Sequence, residues 1–135
     1  MAQYGTQNEP FTSTLGDLNN DGHVDAVILN FVSNSMSIFR GFGNGTFGTQ
    51  VILLTGTQPS WAAIGDFNND NRADIVVANL GSSNIGVFLG YGNLTFAPQV
   101  TYPVSSNSYD LTIGDLNNDN KPDIIVSSSI NGKLC

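Results

Sequence analysis

The chain has 135 residues, a formal net charge of −7 with only four basic residues, and 40% apolar residues. That is enough apolar material for one folded core and too little positive charge to meet a phosphate backbone, so nucleic acid is excluded as a partner. No apolar run approaches the roughly 20 residues of a membrane-spanning helix, the N-terminus lacks the basic-then-apolar layout of a secretory leader, and the single cysteine, Cys135, offers no internal disulfide.

In chain order, residues 1–6 read as the back of an outer strand, in register with residues 50–55. A first strand is expected over 12–16, an acidic loop over 17–25, and a second strand over 26–29. A third strand follows over 36–40, then a glycine turn over 41–45 and a fourth strand over 47–54. The series recurs as strand 61–65, loop 66–74, strands 75–78 and 85–89, turn 90–93 and strand 96–102. It begins a third time with strand 110–114, loop 115–123 and strand 124–126. The loops open at Asp17, Asp66 and Asp115, a period of 49 residues both times. A fixed period of this size marks a propeller, solenoid or array. The second strands are unbroken β-branched runs, suited to a strand covered on both faces. Pro98 and Pro103 place the fourth strand at an edge. The expected fold is all-β: tandem four-stranded antiparallel propeller-type blades, about 2.75 repeats of 49 residues. Residues 1–11 then end a preceding blade's outer strand. Residues 12–59 are repeat 1, 60–108 repeat 2 and 109–135 a partial repeat 3, with 133–135 at the start of a third strand. This is an incomplete propeller or part of an array, completed by further repeats of a longer chain or by other copies of itself.

Nine of the ten aspartates fall in the three loops, so the acidity belongs to three sites rather than to the surface at large. Each loop has the form Asp-x-Asn-x-Asp-x-x-x-Asp. A hard cation such as Ca2+ takes six to eight oxygens, and alternate residues of a tight loop point inward. Positions 1, 3, 5 and 9 are therefore candidate side-chain ligands: Asp17, Asn19, Asp21 and Asp25; Asp66, Asn68, Asp70 and Asp74; Asp115, Asn117, Asp119 and Asp123. Position 7, held by His23, Arg72 and Lys121, would give its backbone carbonyl, which explains why its side chain varies. Position 6 is Gly22, Asn71 or Asn120, residue types that tolerate left-handed backbone. The expected cofactor is three Ca2+ per chain. The alternative is a surface turn rich in Asx residues. An EF-hand is excluded, because position 12 is Ile28, Val77 or Val126 inside a strand.

The acidic loops, together with the turns Arg40-Gly41-Phe42-Gly43-Asn44-Gly45-Thr46-Phe47 and Leu89-Gly90-Tyr91-Gly92-Asn93-Leu94-Thr95-Phe96, resemble the FG-GAP/VCBS-type repeat family, the blades of integrin α-subunit propellers and of many secreted repeat proteins. The resemblance covers nearly the whole chain. It implies a four-stranded blade with Ca2+ between its first two strands. It leaves function open among adhesion heads, lectin-like proteins, accessory modules and structural arrays.

Asn44-Gly45-Thr46 and Asn93-Leu94-Thr95 are N-glycosylation sequons on equivalent turns, so Asn44 and Asn93 are candidate glycan sites in a secretory host. Trp61, Tyr4 and Tyr102 are either a sugar platform or packing between blades. No catalytic residues are assigned, since the one histidine sits in a loop and the one cysteine at the terminus. The expected role is a Ca2+-stabilised structural or assembly module, extracellular, secreted or at the cell surface. The alternative is an adhesion or lectin-like module with a protein or carbohydrate ligand.

Overall fold

The structure, a computed structural model, describes residues 3–7, 9–104 and 108–128. The described residues form strands and turns without a helix. The first sheet is a meander of β1 (Pro10–Gly16), β2 (Asp25–Asn30), β3 (Ser35–Phe39) and β4 (Val51–Leu54), adjacent in that order. The second repeats it with β5 (Pro59–Gly65), β6 (Asp74–Asn79), β7 (Asn84–Phe88) and, after a two-stranded hairpin of β8 (Gly90–Gly92) and β9 (Thr95–Phe96), the outer strand β10 (Val100–Pro103). β11 (Ser108–Gly114) and β12 (Asp123–Ser128) form the inner pair of a third. All pairings are antiparallel, and the sheets are open rather than closed into a ring.

The 49-residue period governs details as well as elements. The inner strands begin at Pro10, Pro59 and Ser108, and each slips register within its first three residues, after Pro10, Pro59 and Ser108. A proline that opens a strand costs no ladder hydrogen bond. The bulge that follows restores the alternation that sends Ala62 and Ile64, or Leu111 and Ile113, toward the neighbouring sheet.

The sheets stack face to face. Val27, Leu29, Met36 and Ile38 of the first pack against Ala62, Ile75, Val77 and Phe88 of the second. The opposite face of the second, Val76, Ala78 and Ile85, packs against Leu111 and Val126 of the third. β6 thus sends alternate side chains into two different cores, and all six of its residues are buried. This is the burial expected of an unbroken β-branched run inside stacked sheets.

The fourth strands are shorter than the sequence suggested. Phe47 and Phe96 do not open β4 and β10 but pair back across the glycine turn, with Gly41 and Gly90. The chain leaves the edge of β3 or β7, makes this small excursion, and rejoins the sheet only at Val51 or Val100. Pro98 falls in the gap. Tyr4, although not in a strand, packs edge-on against Phe39 and Phe47, with ring centroids 6.0 and 5.5 Å away, and its hydroxyl accepts the Phe47 amide at 2.8 Å. Leu53, 49 residues on, packs at the equivalent place between the first and second sheets. Residues 133–135 lie outside the described residues.

Candidate metal centre

Each acidic loop joins the first two strands of a sheet and is built by its own side chains. In the second loop, Asp66 Oδ1 accepts the amide of Asp70 (3.1 Å) and Oδ2 that of Asn71 (2.8 Å). Asn68 Oδ1 also accepts from Asp70 N (3.0 Å), and Asp70 Oδ1 accepts from Arg72 N (2.9 Å). The first loop repeats this with Asp17, Asn19 and Asp21, the amides being those of Asp21, Gly22 and His23. The third does so with Asp115, Asn117 and Asp119 and the amides of Asp119, Asn120 and Lys121. Side chains at positions 1, 3 and 5 therefore turn inward in all three loops, held by successive backbone N–H groups.

Such a tight path needs left-handed residues. Position 6 supplies one, with φ of 81° at Gly22 and 62° at both Asn71 and Asn120, as the residue types implied. Position 4 supplies a second, unanticipated one, with φ of 58°, 61° and 59° at Asn20, Asn69 and Asn118. The signal was present as an asparagine in all three repeats, and asparagine is among the few non-glycine residues that tolerate this region. In the first loop Asn20 also reaches across to its neighbour, its Nδ2 donating to the Asn71 carbonyl at 2.9 Å.

Position 9 plays a different part from the other three. Asp25 and Asp74 are 0% exposed. Asp74 Oδ2 accepts the Phe67 amide and Oδ1 the Gly90 amide, both at 2.8 Å. Asp25 does the same with Leu18 N (2.9 Å) and Gly41 N (2.8 Å), and Asp123 Oδ2 accepts Leu116 N (2.9 Å). This carboxylate ties the acidic loop to the glycine turn some 16 residues later. The glycine is required because a Cβ at Gly41 would be driven into the Val24 carbonyl oxygen, and one at Gly90 into that of Ala73. The two halves of the sequence pattern are thus mechanically one unit. Burial, and behind it the charges of Asp70 and Asp66, push the Asp74 carboxyl above its ordinary range.

Among the described residues, no three Asp, Glu, His or Cys side chains already form a cage of the kind that holds a metal. The oxygens at positions 1, 3 and 5 share one concave loop, and they accept backbone amides as those at position 9 do. Each bonded oxygen keeps a second lone pair, so the donor set, hard oxygens with excess negative charge, fits a hard divalent cation. His23 lies with its ring against Gly43 of the glycine turn, and Arg72 and Lys121 are exposed. Of the groups at position 7, only the backbone carbonyl is an oxygen donor common to the three loops.

Arg40, at the end of β3, was not anticipated. Its Nε (3.2 Å) and Nη2 (2.8 Å) both donate to Asp21 Oδ2, the one ion pair among the described residues, and hold the Asp21 carboxyl below the usual carboxylate range. Asn44 and Asn93 are exposed on their turns. Asn44 Oδ1 accepts the amide (3.0 Å) and hydroxyl (2.6 Å) of Thr46, whereas the Thr95 hydroxyl bonds the Gly92 carbonyl (2.6 Å). The aromatic trio is not brought together. Tyr4 covers the first sheet, Trp61 lines a groove between inner strands, and Tyr102 sits on outer strand β10.

No curated protein sequence matches the chain. A profile of the FG-GAP-like repeat matches twice, over residues 17–77 and 66–126, the two matches being offset by the same 49 residues that separate the loops. Together they span most of the sequence, each running from an acidic loop through the glycine turn to the next repeat's second strand, and the chain belongs to the FG-GAP-like repeat family.

Proposed function

We propose that this chain is a non-catalytic, Ca2+-stabilised structural module of an extracellular or cell-surface repeat assembly. The observation that carries the proposal is the threefold recurrence of one loop. At 49-residue intervals, carboxylates at positions 1 and 5 are held by equivalent backbone amides, with a third carboxylate beside them that is buried in the first two loops and partly buried in the third. Like charges so gathered repel one another, and a divalent cation relieves that repulsion. Open loops of this kind suit affinities of about 10⁻⁴–10⁻³ M, typical of extracellular Ca2+ modules. The natural partners are repeats of the same type, since the sheets associate through alternating apolar faces. Asn44 and Asn93, on exposed turns, would carry glycans in a secretory host.

The test is thermal unfolding with and without chelator. Binding to the native state raises stability by RT ln(1 + [L]/Kd) per site, about 1.4 kcal/mol for each tenfold excess over Kd. A lower midpoint in EDTA, restored by Ca2+, is expected; identical melting curves would refute the metal reading. The alternative, an adhesion or lectin-like module, has one observation in its favour: a groove of about 420 Å³ runs along β1, β5 and β11, with Trp61 and Asp110 on its wall. A glycan array giving saturable binding, lost in Trp61→Ala, would favour it.

A further inference from the structure

The three loops share sequence and hydrogen-bond pattern, but they differ in what holds the outer oxygen of the position-5 carboxylate. In the second and third loops Asp70 Oδ2 and Asp119 Oδ2 accept from amides within their own loop, Asn68 Nδ2 (3.0 Å) and Asn117 Nδ2 (3.1 Å). In the first loop Asp21 Oδ2 is taken instead by the Arg40 guanidinium, through two N–H groups. Arg40 lies 19 residues away in sequence, beside the glycine turn, with its guanidinium 5.9 Å from the centre of the Phe42 ring. The equivalent residue of the second repeat is Leu89, which carries no charge.

The chain's few cations make this difference sharper. It has four basic residues, of which Arg72 and Lys121 lie in the second and third loops and Arg40 lies against the first. Arg72 and Lys121 stand at position 7 and make no ion pair among the described residues. In the first repeat position 7 is His23, and the cation is Arg40, the residue after β3, which sits on the carboxylate itself. The first loop therefore already contains a positive charge at a position-5 ligand, held by a fork of two donors, while among the described residues the other two loops have none there.

We propose that Arg40 is an internal counter-cation that sets the first loop apart: it makes this the last of the three loops to take a divalent cation and couples filling of that loop to release or repulsion of the guanidinium. The proposal rests on the reading of the loops as Ca2+ sites. A unit positive charge bonded to a ligand of a divalent ion repels that ion by on the order of 1–2 kcal/mol in a water-like dielectric, about tenfold in affinity, so the first loop should bind about tenfold more weakly than the second. The same charge keeps the first loop closed when Ca2+ is scarce, because the repulsion between Asp17 and Asp21 is already partly neutralised. Filling of the array should therefore occur in two stages. The glycine turn of the first repeat senses the second stage, because Arg40 is continuous with Gly41, whose amide is held by Asp25.

The experiment is a Ca2+ titration of the whole chain at low ionic strength, followed by calorimetry and by the backbone amide NMR signals of Gly22, Asn71 and Asn120, one reporter per loop. The variants are Arg40→Leu, which installs the second repeat's residue in the first, and the reciprocal Leu89→Arg. In the unaltered protein Gly22 should shift last, together with the Arg40 Nε–H signal. Arg40→Leu should bring the Gly22 midpoint about tenfold lower and leave Asn71 and Asn120 in place. Leu89→Arg should delay Asn71. If Ca2+ moves all three reporters but Arg40→Leu leaves the Gly22 midpoint unchanged, the role of Arg40 is overturned while the loops remain Ca2+ sites. If no reporter moves at millimolar Ca2+, the reading of the loops falls and the role of Arg40 with it.

Discussion

Replacing Asp74 by alanine separates the two tasks that an acidic loop combines. The carboxylate is fully buried and accepts two backbone amides at 2.8 Å, from Phe67 in the loop and Gly90 in the glycine turn. Asp74→Ala leaves the buried Gly90 amide and the partly buried Phe67 amide without an acceptor. Hydrogen bonds to a charged group contribute about 1.5–3 kcal/mol each, and an orphaned buried donor costs about as much. Part of that loss is returned, because burial and the charges of Asp70 and Asp66 already disfavour the ionised carboxyl. The net loss should be about 2–4 kcal/mol, a large share of the roughly 5–15 kcal/mol that holds a domain together. It should appear even in chelator, since it owes nothing to a metal. Asp70→Ala is the control. Asp70 is exposed and accepts one backbone amide, from Arg72, so in chelator its loss should stay within about 1 kcal/mol. In Ca2+ at ten to a hundred times Kd, losing that site should add about 1.4–2.7 kcal/mol. Urea unfolding followed by the fluorescence of Trp61, the only tryptophan, reads both variants in both conditions. Asp74→Asn, which keeps one carbonyl acceptor, should lose about half as much and covers the case in which the alanine variant does not fold. Equal losses for Asp74→Ala and Asp70→Ala in chelator would refute the assignment of position 9 to the amides.

Gly90→Ala should be at least as damaging as Asp74→Ala, because its Cβ meets the Ala73 carbonyl oxygen on rigid backbone; a urea midpoint close to that of the parent would mean that the turn moves freely. Gly86→Ser should stabilise. In the first repeat the Ser37 hydroxyl joins Asn30 Nδ2 (2.9 Å) to Gln50 Nε2 (2.6 Å), whereas in the second Gly86 offers no hydroxyl and the buried Gln99 Oε1 has no partner among the described residues. A hydroxyl there, together with a less mobile strand residue, should add about 1 kcal/mol once Gln99 turns aside, and a lower urea midpoint would count against it. Arg72→Ala should cost less than Asp70→Ala in Ca2+, since its backbone carbonyl is retained; equal losses by the same assay would give the arginine side chain a role. Secretion from a glycosylating host should add two glycans, one of which disappears in Asn44→Gln by mass spectrometry; unmodified peptide at both asparagines would exclude them.

Much of this protein was legible without coordinates because it is written more than once. The period placed the strands, the loops and the left-handed sixth position, and the β-branched runs of β2 and β6 announced strands covered on both faces, since local pattern and burial obey the same alternation. What lay beyond reach depended on residues distant in sequence. Asp25 and Asp74 are candidate ligands by their place in the loop, and only the folded chain shows that they also hold the glycine-turn amides, 16 residues away. The same draw on Gly41 and Gly90 pulls the chain off the edge of β3 and β7, so that Phe47 and Phe96 fold back instead of opening the outer strands. Arg40 read as the last residue of a strand until the sheet set it beside Asp21. Repetition determines what each unit contains, because every copy carries the same local preferences. Which groups spend their hydrogen bonds on one another is decided only when backbone amides and carboxylates are buried together and each must find a partner.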